Sequence, residues 1–151
     1  MAEIIKIEAP ISKSLLFRKV MKLWNTARAG NKLNNYLSEI ADSLLSSYKT
    51  EAWQEFYWSA ADQVDSLSSY RDNSIEKRSI EDIAPEEISV AIMEIMEVNL
   101  SLEKEDLIRL VARAFGFQKV GAQIDAVINQ VLGKMLNEKR LSETDNRLKM
   151  N

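Results

Sequence analysis

IMEVNLSLEKEDLIRLVARAFGFQKVGAQIDAVINQVLGKML, residues 95–136, decides the fold because residues 4–45 repeat its pattern. The earlier stretch, IIKIEAPISKSLLFRKVMKLWNTARAGNKLNNYLSEIADSLL, aligns with it without a gap at an offset of 91 positions. The identical pairs include Ile4 with Ile95, Lys13 with Lys104, Leu16 with Leu107, Arg18 with Arg109, Val20 with Val111 and Gly30 with Gly121. The repeat predicts two related structural units, an arrangement more common in binding modules than in catalytic sites.

Composition narrows the class of protein. The 151 residues can form one ordinary domain or two small ones, and 46% apolar and 28% charged residues are typical of a globular protein. A net charge of -3 argues against a chain that coats nucleic acid indiscriminately, although a local basic face remains compatible with it. No apolar run approaches the ~20 residues of a membrane span, so we expect a cytoplasmic protein without membrane contact.

The chain contains no cysteine and no histidine. This excludes disulfides, thiolate nucleophiles, imidazole bases and the usual zinc sites, while a carboxylate-bound magnesium or calcium ion stays chemically possible. Two acidic pairs, Glu86–Glu87 and Glu105–Asp106, fall in the first turns of predicted helices, where the helix dipole already favours carboxylates. The sequence therefore predicts no catalytic residue, no metal and no cofactor.

Apolar residues of the second copy recur at helical spacing and predict three helices. Pro85 begins the first helix, and Ser101 is the expected N-cap of the second, which ends at a break from Gly116 to Gly121. The residues expected to be buried are Ile88, Ala91, Ile92 and Ile95, then Leu107, Val111, Ala114 and Phe115, then Ile124, Val127, Ile128, Val131, Leu132, Met135 and Leu136.

The first copy has the same order with a shorter start. Only Met1 to Glu3 precede Ile4, so we expect residues 1–9 to form a shortened or frayed first helix. Ser12 is the expected N-cap of the second helix, and the break runs from Asn25 to Gly30, where glycine can supply a backbone conformation costly to other residues. The expected apolar residues are Leu16, Val20, Leu23 and Trp24, then Leu33, Tyr36, Leu37, Ile40, Ala41, Leu44 and Leu45.

Short strands are predicted after each third helix. In the second copy Arg140–Ser142 and Arg147–Met150 flank a polar turn at Glu143–Asn146, and the first copy has an aromatic strand at Trp53–Trp58. Helix, helix, turn, helix and hairpin is the order of a winged helix, whose second and third helices form a helix-turn-helix. The sequence thus predicts a mainly α fold of tandem winged-helix (helix-turn-helix) repeats, each with a short β-hairpin or strand.

The predicted units span residues 1–58 and 85–151, with an acidic linker or arm at 59–84. The linker has three basic and six acidic residues. Within it, Tyr70–Ile83 alternates charged residues with Ile75, Ile80 and Ile83, so we expect this part to pack along one unit as an extended arm.

Three stretches carry a family resemblance: IEAPISKSLLFRKVMKLWNTARAGNKL at 7–33, YRDNSIEKRSIEDIAPEEISVAIMEIM at 70–96 and EDLIRLVARAFGFQKVGAQIDAVINQVL at 105–132. They resemble a small domain of unknown function near the C-terminus of large bacterial superfamily-one helicase-like proteins that also carry a Vsr-like endonuclease domain, related to the very short patch repair nuclease. The chain has no Walker motif, glycine-rich phosphate loop or nuclease carboxylate cluster, so the resemblance implies an accessory part of such a protein.

Basic and amide side chains around the third helices are the candidates for DNA contact, because that helix of a helix-turn-helix normally enters the major groove. The candidates are Arg28, Lys32 and Asn35 in the first copy, and Lys119, Gln123 and the expected wing residues Lys139 and Arg140 in the second. Residues 1–58 have eight basic and six acidic residues, against nine and eleven in 85–151, so the first copy is the better candidate. Solvated helix residues without a ligand would give the same pattern.

The aromatic strand allows a second kind of contact, since Trp53, Phe56, Tyr57 and Trp58 could stack on unpaired bases. Packing in a core or an interface is the alternative. Side chains of a strand alternate between its two faces, so Phe56 and Trp58 are expected to point inward and Tyr57 outward.

Two functions fit the sequence. The first is a non-catalytic accessory module of a helicase-like DNA-processing protein that contacts DNA through its helix-turn-helix units. The alternative is a protein-docking module without nucleic-acid binding, whose partner would be a helicase or nuclease domain of the same or another protein, or a second copy of the chain. A contiguous basic groove would favour DNA, and an exposed apolar patch would favour a protein partner.

Overall fold

The structure, a computed structural model, describes residues 1–26, 28, 30–45 and 48–151. Residues 27, 29, 46 and 47 and the side chain of Leu45 lie outside this part, so the expected burial of Leu45 falls outside it too. Contacts divide the chain into unit 1, residues 1–66 and 81–84, and unit 2, residues 67–80 and 85–151. The predicted linker is thus shared between the two units. Among the described residues, no helix combines the length and apolar character needed to cross a membrane.

Unit 1 packs helices against a small antiparallel sheet whose strand order is β1-β3-β2. Its elements are α1 (Ala2–Glu8), β1 (Ile11–Ser12), α2 (Lys13–Leu23), α3 (Asn31–Leu45), β2 (Lys49–Glu51), β3 (Glu55–Tyr57) and the short α4 (Gln63–Ser66). A 3-10 turn follows at Ile80–Asp82.

Unit 2 has the same order of elements, and its antiparallel sheet has the order β4-β6-β5. Its elements are α5 (Pro85–Glu97), β4 (Leu102–Glu103), α6 (Lys104–Ala114), α7 (Ala122–Asn137), β5 (Leu141–Thr144) and β6 (Arg147–Met150). Helix α5 packs against both α6 and α7.

The two units share a sheet register at the offset of the sequence alignment. Ile11 pairs with Tyr57 in unit 1, and Leu102 pairs with Leu148 in unit 2, each residue 91 positions after its counterpart. Strands β1 and β4 and helices α2 and α6 also begin 91 positions apart. The first helices differ, because α1 has seven residues and α5 has thirteen. The difference of six residues is roughly 9 Å of helix.

The second helix of each unit ends in the same hydrogen-bonded turn, a Schellman motif. In unit 1 the amide of Asn25 bonds to the Lys22 carbonyl and that of Thr26 to the Met21 carbonyl, with Asn25 at φ 56°. In unit 2 Gly116, at φ 78°, takes the place of Asn25. Gly116 thus supplies the backbone conformation expected of glycine in the second break, whereas Gly121, the glycine that aligns with Gly30, has φ −84° and precedes α7.

The starts of the second helices confirm one N-cap prediction and contradict the other. Ser12 Oγ accepts a hydrogen bond from the Leu15 amide and caps α2, as predicted. Helix α6 does not begin at Ser101: its N-cap position is Glu103, because β4 intervenes. The Ser101 hydroxyl instead lies 3.0 Å from Nη2 of Arg147.

The core of unit 2 follows the predicted stripes closely, with Met96 more buried than the expected Ile95. In unit 1 the prediction is wrong for four apolar residues, which are exposed although their periodicity matches a buried face: Leu23, Trp24, Tyr36 and Leu44. The aligned positions of Trp24 and Tyr36 in unit 2, Phe115 and Val127, are buried, and there α5 packs against both α6 and α7. The core cluster of unit 1 consists of Ile5, Ile11, Leu15, Leu16, Phe17, Val20, Leu37, Ala41 and Tyr57.

The strands correct two further expectations. Strand β3 begins at Glu55, so Trp53 precedes it, and Tyr57 faces the helical core, whereas the alternation had placed it outward. Phe56 and Trp58 are nevertheless also fully buried. In unit 2 the hairpin turn is confined to Asp145–Asn146, both with positive φ as a tight two-residue turn requires.

Residues 67–80 are held on unit 2 by a buried ion pair. Arg78 Nη1 lies 2.8 Å from Glu87 Oε2 and Nη2 lies 3.1 Å from Oε1, with both side chains almost inaccessible to solvent. Arg78 also donates to the Arg71 carbonyl, and the Tyr70 ring packs on Phe115 with centroids 5.0 Å apart. The pair therefore anchors the segment on α5.

We predict that Glu87→Gln destabilises the chain by about 3–5 kcal/mol, because it leaves the Arg78 charge buried without its partner. Glu97→Gln, the same change at an exposed position of α5, should alter stability by less than about 0.5 kcal/mol. Urea unfolding followed by far-UV circular dichroism measures both. Equal midpoints for the two variants would contradict the structural role of the pair.

Two glycines of unit 2 should respond with opposite signs to alanine. Gly116→Ala should destabilise by about 1–2 kcal/mol, since a Cβ at φ 78° strains the backbone while its nearest neighbour, 3.7 Å away, leaves room. Gly133→Ala should stabilise by about 0.5–1 kcal/mol, because this glycine lies inside α7 with open space around it. Thermal unfolding of the two variants compares the signs directly.

Candidate nucleic-acid interface

All seven predicted contact residues are exposed, but they lie on different kinds of element. Lys32 and Asn35 are on the first turns of α3, three positions apart and thus on one face, and Gln123 is the second residue of α7. Arg28 and Lys119 lie in the connections that precede these helices.

Lys139 and Arg140 lie at the base of the expected wing, next to β5: the Arg140 carbonyl accepts a hydrogen bond from the Asn151 amide at 3.2 Å, and the Lys139 carbonyl accepts one from the Asn151 side chain. They close the Schellman turn after α7: the Lys139 amide bonds to the Leu136 carbonyl and the Arg140 amide to the Met135 carbonyl. Arg140 also lies 3.9 Å from Glu138. Their positions are set by the end of the helix, and strand β5 begins only at Leu141.

Four cations of unit 1 are engaged by carboxylates. Glu55 binds Lys13 at 2.6 Å and Lys49 at 2.8 Å, and Lys49 also reaches Asp42 at 3.1 Å. Lys19 pairs with Glu8 at 2.8 Å, and Arg18 pairs with the buried Asp82 at 2.5 Å. These pairs tie α2 to the sheet, to α1 and to residues 81–84.

Three other cations, Lys22, Arg28 and Lys32, are exposed, and within the described part of the chain they have no hydrogen bond or ion pair. They follow one another from the end of α2, through the connection, to the start of α3. Lys22 was missed by the sequence reasoning, which considered only the third helices. We call the exposed side chains of Lys22, Trp24, Arg28, Lys32 and Tyr36 the α2–α3 surface.

The distribution of charged residues along the sequence distinguishes the segment that contains Lys22. Residues 9–38 contain six basic residues and no acidic one, whereas the aligned residues 100–129 contain four of each. The two copies thus differ by six charges over the same structural elements. The excess of positive charge in unit 1 lies in the segment that contains Lys22, Arg28 and Lys32.

A shallow depression of about 340 Å³ adjoins these cations at the end of α2. It is lined by Arg18, Met21, Lys22, Asn25 and Thr26. Arg18 and Lys22 are four positions apart and share a helix face, and Arg18 stays half exposed despite its pair with Asp82. The depression offers two cations and two neutral polar side chains to an anionic group.

The corresponding part of unit 2 is weaker as an anion-binding surface. Arg113 and Lys119 align with Lys22 and Arg28, but Gln123 replaces Lys32. Arg109 is paired with Asp106 in the first turn of α6. The local charges therefore balance.

Base stacking on the aromatic strand is ruled out by burial. Phe56, Tyr57 and Trp58 are inaccessible, and the half-buried Trp53 donates its indole N–H to the Glu81 carbonyl at 2.8 Å. Burial, with the nearby charges of Glu55 and Asp42, raises the pKa of Tyr57 to about 12, so its phenol stays protonated near neutral pH. The exposed aromatic side chains of unit 1 are instead Trp24 and Tyr36.

The acidic residues singled out by the sequence have partners in the structure. Within residues 1–26, 28, 30–45 and 48–151, no group of three or more possible ligands could hold a metal ion. Glu87 is engaged by Arg78, Glu105 accepts a hydrogen bond from Asn146, and Asp106 pairs with Arg109. These acidic residues have structural partners.

Comparison with known proteins gives one match. The family model described as "Protein of unknown function (DUF3320)" matches residues 1–35, which cover α1, β1, α2 and the first turn of α3. No curated protein and no solved structure matches the chain. The match supports a domain of unknown function, and its range includes Lys22, Trp24, Arg28 and Lys32.

Acid should weaken unit 1 through Glu55. Hydrogen bonds from Lys13 and Lys49 lower the pKa of this carboxyl, so its stabilisation is present above the unfolded pKa of 4.5 and is lost as the pH falls through the folded value. We expect Glu55→Gln to cost about 1–3 kcal/mol at pH 7 and to flatten the loss of stability below about pH 4.5.

Tryptophan fluorescence during urea unfolding at pH 7 and at acid pH measures this effect, because all three tryptophans belong to unit 1. Glu39→Gln, on the exposed side of α3, is the matched control and should keep the wild-type pH dependence. A Glu55→Gln profile parallel to that of wild type would show that the carboxyl is not linked to folding.

Proposed function

We propose that the chain is a non-catalytic accessory module that contacts DNA through two winged-helix units, with the α2–α3 surface of unit 1 as the main contact. The observation that carries the proposal is a set of three exposed cations, Lys22, Arg28 and Lys32, which have no ionic partner among the described residues and lie in a stretch of 30 residues that lacks carboxylates. Lysine and arginine residues that cluster along consecutive elements without carboxylates between them are the electrostatic footprint of a polyanion site.

The order of elements supports the winged-helix assignment. Each unit runs helix, strand, helix, helix, strand, strand, and its first strand pairs with its last. In such an arrangement α2 and α3 are the helix-turn-helix, and the start of α3 reaches the major groove. Lys32 and Asn35 are on this first part of α3, and Arg28 precedes it.

Electrostatics sets the expected strength of binding. Each cation that neutralises a phosphate releases a counterion, so the logarithm of the affinity falls by about 0.9 per contact for each tenfold rise in salt. Three to four contacts give weak binding, with a Kd in the range of about 10⁻⁴–10⁻⁶ M that is typical of non-specific complexes. Such a module would increase the DNA affinity of a protein that also contains other DNA-binding domains.

The biological setting rests on the family resemblance. It places the module beside a helicase-like ATPase and a Vsr-like nuclease in a bacterial cytoplasmic protein, and any catalysis would lie in those domains. The match to a family of unknown function over residues 1–35 is compatible with this setting.

Docking on a protein is the second candidate. Ile7 and Leu23 of unit 1 are about three-quarters exposed, and Leu44 is half exposed. Large apolar side chains that stay in water are suited to an interface with a partner protein, such as the helicase or nuclease domain.

Fluorescence anisotropy with labelled duplex DNA tests the proposal at low and moderate salt. We expect Arg28→Ala with Lys32→Ala to weaken binding by about tenfold at low salt and to reduce the salt slope by about 2, because two phosphate contacts are lost. Lys6→Ala with Lys77→Ala removes the same charge from exposed positions elsewhere and should leave both quantities near wild type.

Two results would contradict DNA contact by unit 1. One is the absence of binding to duplex or single-stranded DNA at low salt, which would favour the docking alternative. The other is an equal loss of affinity in the two double variants, which would show that net charge alone, and not the α2–α3 surface, governs binding.

A further inference from the structure

We propose that the α2–α3 surface binds a nucleic-acid strand with unpaired bases, and that Trp24 and Tyr36 are the platforms on which bases stack. The inference rests on the proposed function and narrows its ligand. Exposed side chains of both kinds follow one another in a single stretch: Lys22, Trp24, Arg28, Lys32 and Tyr36. Aromatic faces among cations are the means by which proteins hold single strands.

Exposure of the two aromatic rings departs from the repeat. Trp24 is 52% exposed and Tyr36 is 55% exposed, whereas the aligned Phe115 and Val127 of unit 2 are only 1% and 3% exposed. Phe115 is covered by the ring of Tyr70. The same fold therefore buries these positions in one unit and presents larger, aromatic side chains to solvent in the other.

The charges change at the same positions along the chain. Residues 9–38 contain no carboxylate, while the aligned residues 100–129 contain four. A covering polypeptide segment like the one on Phe115 does not favour this absence, since unit 2 accommodates it with balanced charges. A polyanion favours it, because carboxylates would repel its phosphates.

The backbone holds Trp24 in place. Its amide donates to the carbonyls of Val20 and Met21, and its own carbonyl accepts from the Thr26 hydroxyl at 3.3 Å. A backbone fixed by a closed turn lowers the part of the entropy cost of stacking that comes from ordering the main chain. Tyr36 lies one helical turn beyond Lys32 on α3, so the ring and the cation share a face.

Base faces distinguish the ligand from duplex DNA. A duplex presents its phosphates to the cations but keeps its bases stacked on one another, so the aromatic rings would gain little from it. A strand with unpaired bases offers phosphates to the cations and base faces to the rings. The α2–α3 surface should thus bind a strand with unpaired bases more tightly than a ligand that offers phosphate charge alone.

A comparison of three labelled ligands tests this: a 15-nucleotide thymidine strand, an abasic strand of the same length, and a blunt duplex. We expect the thymidine strand to bind at least about fivefold more tightly than the abasic one. Trp24→Ala with Tyr36→Ala should abolish this difference and leave the affinity for the abasic strand near wild type. Leu100→Ala, which truncates an exposed apolar side chain of unit 2, is the control and should change neither.

Intrinsic fluorescence gives an independent readout. Trp58 is buried and Trp53 is half buried, so stacking of a base should quench mainly Trp24. The thymidine strand should quench wild type and Trp53→Phe alike, and should lose most of this effect with Trp24→Phe.

The outcomes separate the inference from the proposed function. Equal, salt-dependent binding of thymidine and abasic strands would overturn base stacking and leave DNA contact intact. An equal loss of affinity for both strands on removal of the rings would also overturn it, because the rings would then act on the fold. Absence of binding to all three ligands would overturn both proposals and assign the exposed rings to a polypeptide partner.

Discussion

Ser12 carries the constraint on which the rest of unit 1 depends. Its backbone pairs with Phe56 in the sheet, and its hydroxyl caps α2 while donating to the buried Asp82 at 2.5 Å. Ser12 thus ends β1, caps α2 and binds Asp82 of the segment 81–84. Strand β1 ends at Ser12 and α2 begins at the next residue, so no connecting residue lies between the sheet and the first turn of α2. The sheet therefore fixes the direction of α2.

The same joint is built from different residues in unit 2. Leu102 and Glu103 pair with β6, and α6 begins at the next residue, but Glu103 makes no side-chain cap. The Lys104 amide instead bonds to the Asn146 carbonyl of the hairpin turn, and Arg147 holds Ser101. The two units therefore share the backbone pairing at the strand-to-helix connection. The side chains that stabilise this connection differ: Ser12 in unit 1, Ser101 and Arg147 in unit 2. A gapless alignment at 91 positions follows from that shared register.

Periodicity predicted the helices because burial on one helix face imposes spacings of three and four that survive in a single sequence. It could not predict that Tyr36 and Leu44 are exposed, because their spacing is that of a core face and exposure depends on tertiary packing that spacing does not encode. Strand alternation predicted the burial of Phe56 and Trp58 correctly and was wrong for Tyr57, since the aromatic residues of β3 are buried on both of its faces. The candidate site was found in part: Arg28 and Lys32 from the pattern, Lys22 only once its lack of a partner was visible.

Duplication makes the differences between the units more informative than either unit alone. The register, the capped end of the second helix and the position of the third helix are the same in both units, so the fold determines these features. What differs is the chemistry at the end of the second helix: balanced charges and a covered Phe115 in unit 2, and in unit 1 an exposed Trp24 beside cations that have no ionic partner among the described residues. Stability gains nothing from leaving an indole and these cations in water. The proposed nucleic-acid ligand, bound by unit 1 and weakly or not at all by unit 2, would account for both differences together.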